Sequence, residues 1–242
     1  MPNSIGALRL VHFGPFYGLC DISPFCIKAE AYMRLLGLDY DLVRGDPRKS
    51  PRGQLPVLLH EGRTIAGSAE LIDYLRALCG SHIDDWLTER DQVHAYHLLR
   101  SVEEHLYFLL VYQRWALKKN FKLVSDQLFA SLSPFPRLFV PHVVRGRMLQ
   151  RVRAQGVGRY SSGEIDQMAY RGVEMLSRYL GEQDYFFGAK PCWVDCSMYG
   201  FVASLLIPEF TEGVCARMGE FSNLIEFESR FRARVFPDYV EN

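Results

Sequence analysis

Residues 54–70 read QLPVLLHEGRTIAGSAE, and the first third of the chain is decoded outward from them. Leu55 to His60 and Arg63 to Ala66 are short β-prone runs on either side of Glu61 and Gly62. Two strands around so tight a turn predict an antiparallel hairpin. Ser68 then caps a helix whose apolar stripe is Leu71, Ile72, Leu75 and Leu78. Upstream, residues 44–54 are polar and basic with two prolines and two glycines, which makes a long loop. Tyr40 to Val43 reads as a strand. Before it, Ser23 as N-cap and Pro24 at the first helical position open a helix in which Ile27, Ala31, Leu35 and Leu38 recur and Gly37 suits the end. Glu30 and Arg34 stand four apart, on its outer side. A loop over 14–22 separates this helix from a first strand, Leu8 to Phe13. The order is β-α-β-loop-β-β-α.

From about residue 88 the apolar period is helical. Thr88 and Asp91 open a long helix predicted to run past Leu117. Ser161 and Glu164 form a capping box ahead of the stripe Ile165, Met168, Ala169, Gly172, Val173, Leu176 and Leu180. Met198, Phe201, Val202, Leu205 and Leu206 give a further stripe. The pattern predicts an α/β domain over 1–80, a linker over 80–87 and an all-helical domain over 88–242.

Composition narrows the function. The 242 residues carry 28 Lys+Arg against 28 Asp+Glu, so there is no net positive charge for nucleic-acid binding. The first residues lack a basic region followed by an apolar run, and the stretch Met198 to Pro208 is too short to span a bilayer, so a soluble, cytoplasmic chain without a membrane span is expected. Six scattered cysteines make no Cys-x-x-Cys pair and read as small buried hydrophobes, Cys20 being the more exposed. Asp91, His94 and His97 share a helix face but read as a polar face, so no metal site is expected. Between Asp126 and Glu164 there is no acidic residue, while Arg137, Arg145, Arg147, Arg151, Arg153 and Arg159 all fall there. This segment is either a solvated helix or a patch for an anionic substrate, a membrane surface or an acidic partner.

The two-part pattern resembles the glutathione transferase superfamily, a thioredoxin-like N-terminal domain followed by an all-helical C-terminal domain. Ser23-Pro24-Phe25-Cys26 stands where thioredoxin-like proteins place Cys-x-x-Cys, Gln54 to Leu58 looks like the segment leading into the third strand, and Gly67 to Glu70 stands at the glutathione-carboxylate clamp. Within the superfamily the chain is most similar to the metaxin and failed-axon-connections-like branch. The Gly/Pro insert Gly14 to Ile22, the run Ala154 to Ser161, and Val194-Asp195 with Gly200-Phe201 and Arg232 to Pro237 carry that similarity.

The resemblance implies a cis peptide at Pro56. It implies a protein that binds glutathione as co-substrate and stabilises its thiolate for transfer to, or removal from, a small hydrophobic electrophile, and a homodimer. By the same resemblance Ser23 is the thiolate-stabilising hydroxyl, with Tyr17 as the other candidate and a plain N-cap as the other reading of Ser23. Gln54, Leu55, Pro56, Gly67 and Ser68 would bind glutathione. Two departures stand out. Gly67 replaces an acidic or amide residue that anchors the γ-glutamyl end. In the helical domain, Cys192 to Asp195 keeps only the aspartate of a Ser/Thr-x-x-Asp cap, which predicts a modest stability cost. The alternative function is a non-catalytic adaptor of the same fold that uses the arginine-rich surface for protein or membrane contact.

Overall fold

The computed structural model describes residues 6–80 and 83–239. The expected linker falls partly on residues 81 and 82, outside the described residues. Four strands form one sheet in the order β2-β1-β3-β4. β1 (Leu8–His12) runs parallel to β2 (Tyr40–Arg44), pairing Leu10 with Leu42, and antiparallel to β3 (Val57–His60), pairing Leu10 with Leu58. β4 (Arg63–Ala66) closes the predicted hairpin, with Glu61 and Gly62 both at positive φ in the turn. Leu8, Leu10, Val57 and Leu58 are buried. Helices α1 (Pro24–Leu35) and α2 (Ser68–Cys79) pack against each other. The parallel β1–β2 pair crossed over by a helix, with an antiparallel hairpin beside it, is the expected thioredoxin-like arrangement.

The rest is helical: α3 (Glu89–Arg100), α4 (Tyr107–Trp115), α5 (Lys118–Leu128), α6 (Pro134–Gln155), α7 (Ser162–Leu180), α8 (Trp193–Leu205) and α9 (Ser222–Val235). A π-helical stretch over Ser101–Leu106 joins α3 to α4. The long helix ends at Trp115, not beyond Leu117, because its last carbonyls find partners from afar. Arg145 donates to the carbonyls of Trp115 and Ala116 at 2.7 and 2.8 Å, and Asn120 Nδ2 to that of Gln113 at 3.1 Å. The capping box at Ser161 and Glu164 forms as expected.

Contacts divide the chain into two compact units. The first holds residues up to Ala95 with 183–204 and the segment from Phe227 on. The second holds 96–182 and 205–226. In the first unit α8 lies against the start of α1. A Cβ on Gly200 would stand 2.5 Å from the carbonyl oxygen of Pro24, so only glycine permits the contact, and Phe25 meets Phe201 edge-on at 5.7 Å. The cap of α8 is more complete than its sequence suggests. Asp195, without solvent exposure, accepts from the backbone N–H of Phe186 and of Cys192 at 2.8 Å each, and the Cys192 thiol donates to it at 3.2 Å. The cysteine therefore fills the hydroxyl's place. Burial pushes the Asp195 carboxyl up to about 6 against the pull of these donors.

Two surface expectations are corrected. Glu30 is buried, at 1% exposure, and holds Arg34 at 3.0 Å from inside the fold. Cys20 is also buried, at 3% exposure, with Phe16 and Leu19 of the same loop. No described helix is long and apolar enough to cross a membrane.

Candidate active site at the start of the first helix

The loop from Gly14 to Ile22 is anchored at both ends. Its tip is a tight turn in which Phe16 and Leu19 exchange backbone hydrogen bonds of 3.0 Å, with Tyr17 and Gly18 at positive φ. Its end is Asp21, without solvent exposure. The Asp21 carboxylate accepts from the N–H of Phe13 at 2.8 Å, of Gly14 at 2.9 Å and of Ser23 at 2.6 Å, and lies 3.1 Å from His12 Nδ1. One buried acid thus joins the end of β1 to the start of α1.

Ser23 is extended, at φ −90° and ψ 121°, and half-buried. Its carbonyl accepts from Ile27 N at 3.0 Å, but its side chain makes no capping bond to a backbone N–H of the helix. A plain N-cap serine would use its hydroxyl that way. The hydroxyl instead lies within hydrogen-bond reach of the Cys26 thiol. Pro24 has no N–H, so the N–H groups of Phe25 and Cys26 are the first helix donors at this end. Cys26 is buried in one apolar cluster with Leu55 and Val57, against which Val11 and Phe13 pack. Burial, and then the charge on Asp21, push its thiol well above the usual range, so it stays protonated.

The Leu55–Pro56 bond is cis, as the resemblance implies. Gly67 N donates to Pro56 O at 3.1 Å, which holds the start of α2 beside this bend. Leu55, Pro56 and Ser68 are buried, whereas Gln54 is exposed. Gly67, not Ser68, is the cap residue of α2; Ser68 is the first helical residue. At φ 108° Gly67 has a conformation that side chains rarely adopt, and a Cβ there would meet Glu70 Oε2 at 2.2 Å and Arg52 Nη1 at 3.3 Å. Glu70 thus folds back over Gly67 and pairs with Arg52 from the preceding loop. Burial raises the Glu70 carboxyl, but Arg52 outweighs it, with Lys28 adding to the effect, and the group sits below the ordinary range.

The cluster therefore gathers Cys26 with Leu55, and Pro56 with Gly67 and Ser68, while Ser23 adjoins Cys26. Arg52 escaped the reading of the sequence, and Glu70 entered it only as the end of the Gly67 to Glu70 run, without a role of its own. The available signal was a glutamate three residues past the cap glycine, at the helix end where carboxylates are favoured. Tyr17 packs edge-on against Phe16 at 4.8 Å, in the turn. Among the described residues there is no group of three or more His, Cys, Asp or Glu that could hold a metal ion.

Residues 24–121 match the family model of the glutathione S-transferase N-terminal domain, and residues 169–231 that of the glutathione S-transferase C-terminal domain. The Drosophila melanogaster protein Failed axon connections is 29% identical over 238 residues, 92% of this chain; the chain spans 56% of that relative's length. The isoprene-epoxide–glutathione S-transferase of Rhodococcus sp. (strain AD45) is 27% identical over 192 residues, covering 76% of this chain and 81% of that one. Metaxin-3 of Xenopus laevis is 26% identical over 207 residues, covering 82% and 66%. Among solved structures, the glutathione transferase GSTFuA3 of Phanerochaete chrysosporium superposes with a TM-score of 0.66 at 16% identity, over 99% of this chain and 100% of that one. The glutathione complex of CsGST63524 from Ceriporiopsis subvermispora gives 0.63 at 16%, over 97% and 98%. With two domain models matched in order and the expected sheet in place, the chain belongs to the glutathione S-transferase family, with Failed axon connections and metaxins among its relatives.

Proposed function

We propose that the chain binds glutathione across the cis Leu55–Pro56 bend and the start of α2, and lowers the pKa of its thiol at the start of α1 for reaction with a small apolar electrophile. The observation that carries this reading is the Ser23 hydroxyl, which caps no backbone N–H of its own helix and stands beside the Cys26 thiol. A thiolate placed there meets a hydroxyl donor and the amides of the first turn, with the positive end of the helix dipole behind them. The buried, protonated Cys26 does not compete as a nucleophile. The backbone of Leu55 pairs with the cysteinyl backbone of glutathione, and Gln54 stands beside it. Ser68 and the adjoining amides of α2 take the γ-glutamyl carboxylate. Glu70, drawn over Gly67, supplies the acid that position 67 lacks, and receives the ligand's ammonium. The Rhodococcus relative, named for an epoxide and glutathione, supports a small hydrophobic electrophile as second substrate.

The exposed arginines of α6 favour a second reading, a non-catalytic adaptor of the same fold. Calorimetry with glutathione separates the two. Binding at millimolar ligand or below that is lost in Ser68→Ala supports the first; no heat at millimolar glutathione supports the second. Given binding, Ser23→Ala is expected to leave affinity within about two-fold while the conjugation rate drops about 100-fold, as for removal of one donor aimed at developing charge. The pH–rate profile should move to higher pH. A profile that moves in Tyr17→Phe and not in Ser23→Ala would transfer the role to Tyr17.

A further inference from the structure

The N-terminal half of α6 carries its apolar residues on the outside. Phe135, Leu138, Phe139 and Val143 are 75%, 65%, 57% and 54% exposed, at spacings that place them on one helix face. The rings of Phe135 and Phe139 pack on each other at 5.5 Å. The chain leading into this face, residues 127–136, is uncharged. Beyond Gly146 the exposed residues turn basic. Arg147, Arg151 and Arg153 are exposed along the same helix, and Arg159 is exposed just past its end.

These arginines differ from their neighbours. Arg145 is spent on the carbonyls of Trp115 and Ala116, whereas no described carboxylate pairs with the other four. Arg147 and Arg151, four apart, repel each other. An anion set against them would relieve that repulsion, and hydrocarbon set against the phenylalanines would remove them from water.

We propose that α6 docks the protein on an anionic phospholipid surface, with Phe135, Leu138 and Phe139 inserted at acyl depth and Arg147, Arg151 and Arg153 on lipid phosphates. The face joins the two signals that stable interfacial binding needs, an apolar insert and a polybasic stretch. Arginine stems can lie along the apolar layer while the guanidinium groups reach headgroups. Complementarity of charge names the lipid. With no acidic residue between Asp126 and Glu164, nothing on this segment repels an anionic leaflet.

Co-sedimentation of the full chain with vesicles tests this, using phosphatidylcholine alone or with about 30% phosphatidylserine. Binding is expected on the anionic vesicles, weakened by salt, and about ten-fold or more weaker on neutral ones. Phe135→Ser/Phe139→Ser, and separately Arg147→Gln/Arg151→Gln/Arg153→Gln, should each reduce partitioning about ten-fold or more. Their circular dichroism should be unchanged, since every altered side chain is exposed. No binding to anionic vesicles, equal binding to neutral ones, or a correctly folded variant that binds like the parent would overturn the proposal. So would sedimentation velocity showing that this face instead joins two copies of the chain, which the phenylalanine variant returns to monomers. The comparison of the two vesicle types needs no variant at all.

Discussion

At Cys192 a thiol donates to a carboxylate inside the fold, 3.2 Å from Asp195 Oδ2. A hydroxyl is the stronger donor to an ionised acceptor. Cys192→Ser should therefore match or exceed the parent in thermal stability, while Cys192→Ala should lose about 1 kcal/mol, the usual cost of removing a helix cap. Equal losses in both would mean that the sulfur matters for packing alone. This cap was only half readable in advance. The aspartate announces itself by its place three residues into a helix, but a cysteine acting as a hydroxyl carries no pattern of its own. Glu70 is a similar case. Its position is ordinary for the first turn of a helix, and only the empty space over Gly67 gives it a second use.

Among elements, the contact between α8 and α1 has the sharpest consequence. A Cβ on Gly200 would press on Pro24 backbone, which cannot swing aside as a side chain would. Gly200→Ala should cost about 1–3 kcal/mol as an overpacked contact, and it should lower the conjugation rate more than glutathione affinity, because Ser23 precedes the displaced residue. Gly172→Ala is the matched control. Its Cβ would stand 3.4 Å from one methyl of Leu106, and alanine is the better helix former, so denaturant melts should show little or no loss.

β1 and β3 were readable as β-prone runs that bury their apolar residues, and the hairpin by its turn at Glu61-Gly62. α5 carried no separate signal, and α6 was legible only as one of two readings of the arginine-rich segment, a solvated helix. Three prolines, Pro134, Pro136 and Pro141, interrupt the signal of α6, and its most apolar side faces outward. The end of the long helix was misplaced because the groups that terminate it, Asn120 and above all Arg145, lie further along the chain than any local pattern reaches.

At the scale of the molecule, the first unit is assembled from separate stretches of chain, and its last stretch is clasped to α1. Arg34 donates to Asp238 at 2.9 Å and to Tyr40 Oη at 2.9 Å, and lies over the ring of Phe236 at 4.7 Å. Phe236, 1% exposed, stacks on Tyr199 at 5.4 Å. Phe236→Ala should cost about 3–5 kcal/mol in urea unfolding, as for a large aromatic removed from a core. A loss below about 1 kcal/mol would show that the clasp is surface dressing.

Asp21 holds Phe13 and Gly14 at one end of the inserted loop and Ser23 at the other. The loop between them is in effect a closed ring sealed by a carboxylate, and the register of α1 is set by the seal and not by the number of residues in the ring. In an evolving family such a seal makes the intervening residues free to change in length, sequence and partner while the helix start stays put. New recognition can then be written into the tip around Tyr17 without rewriting the chemistry below it.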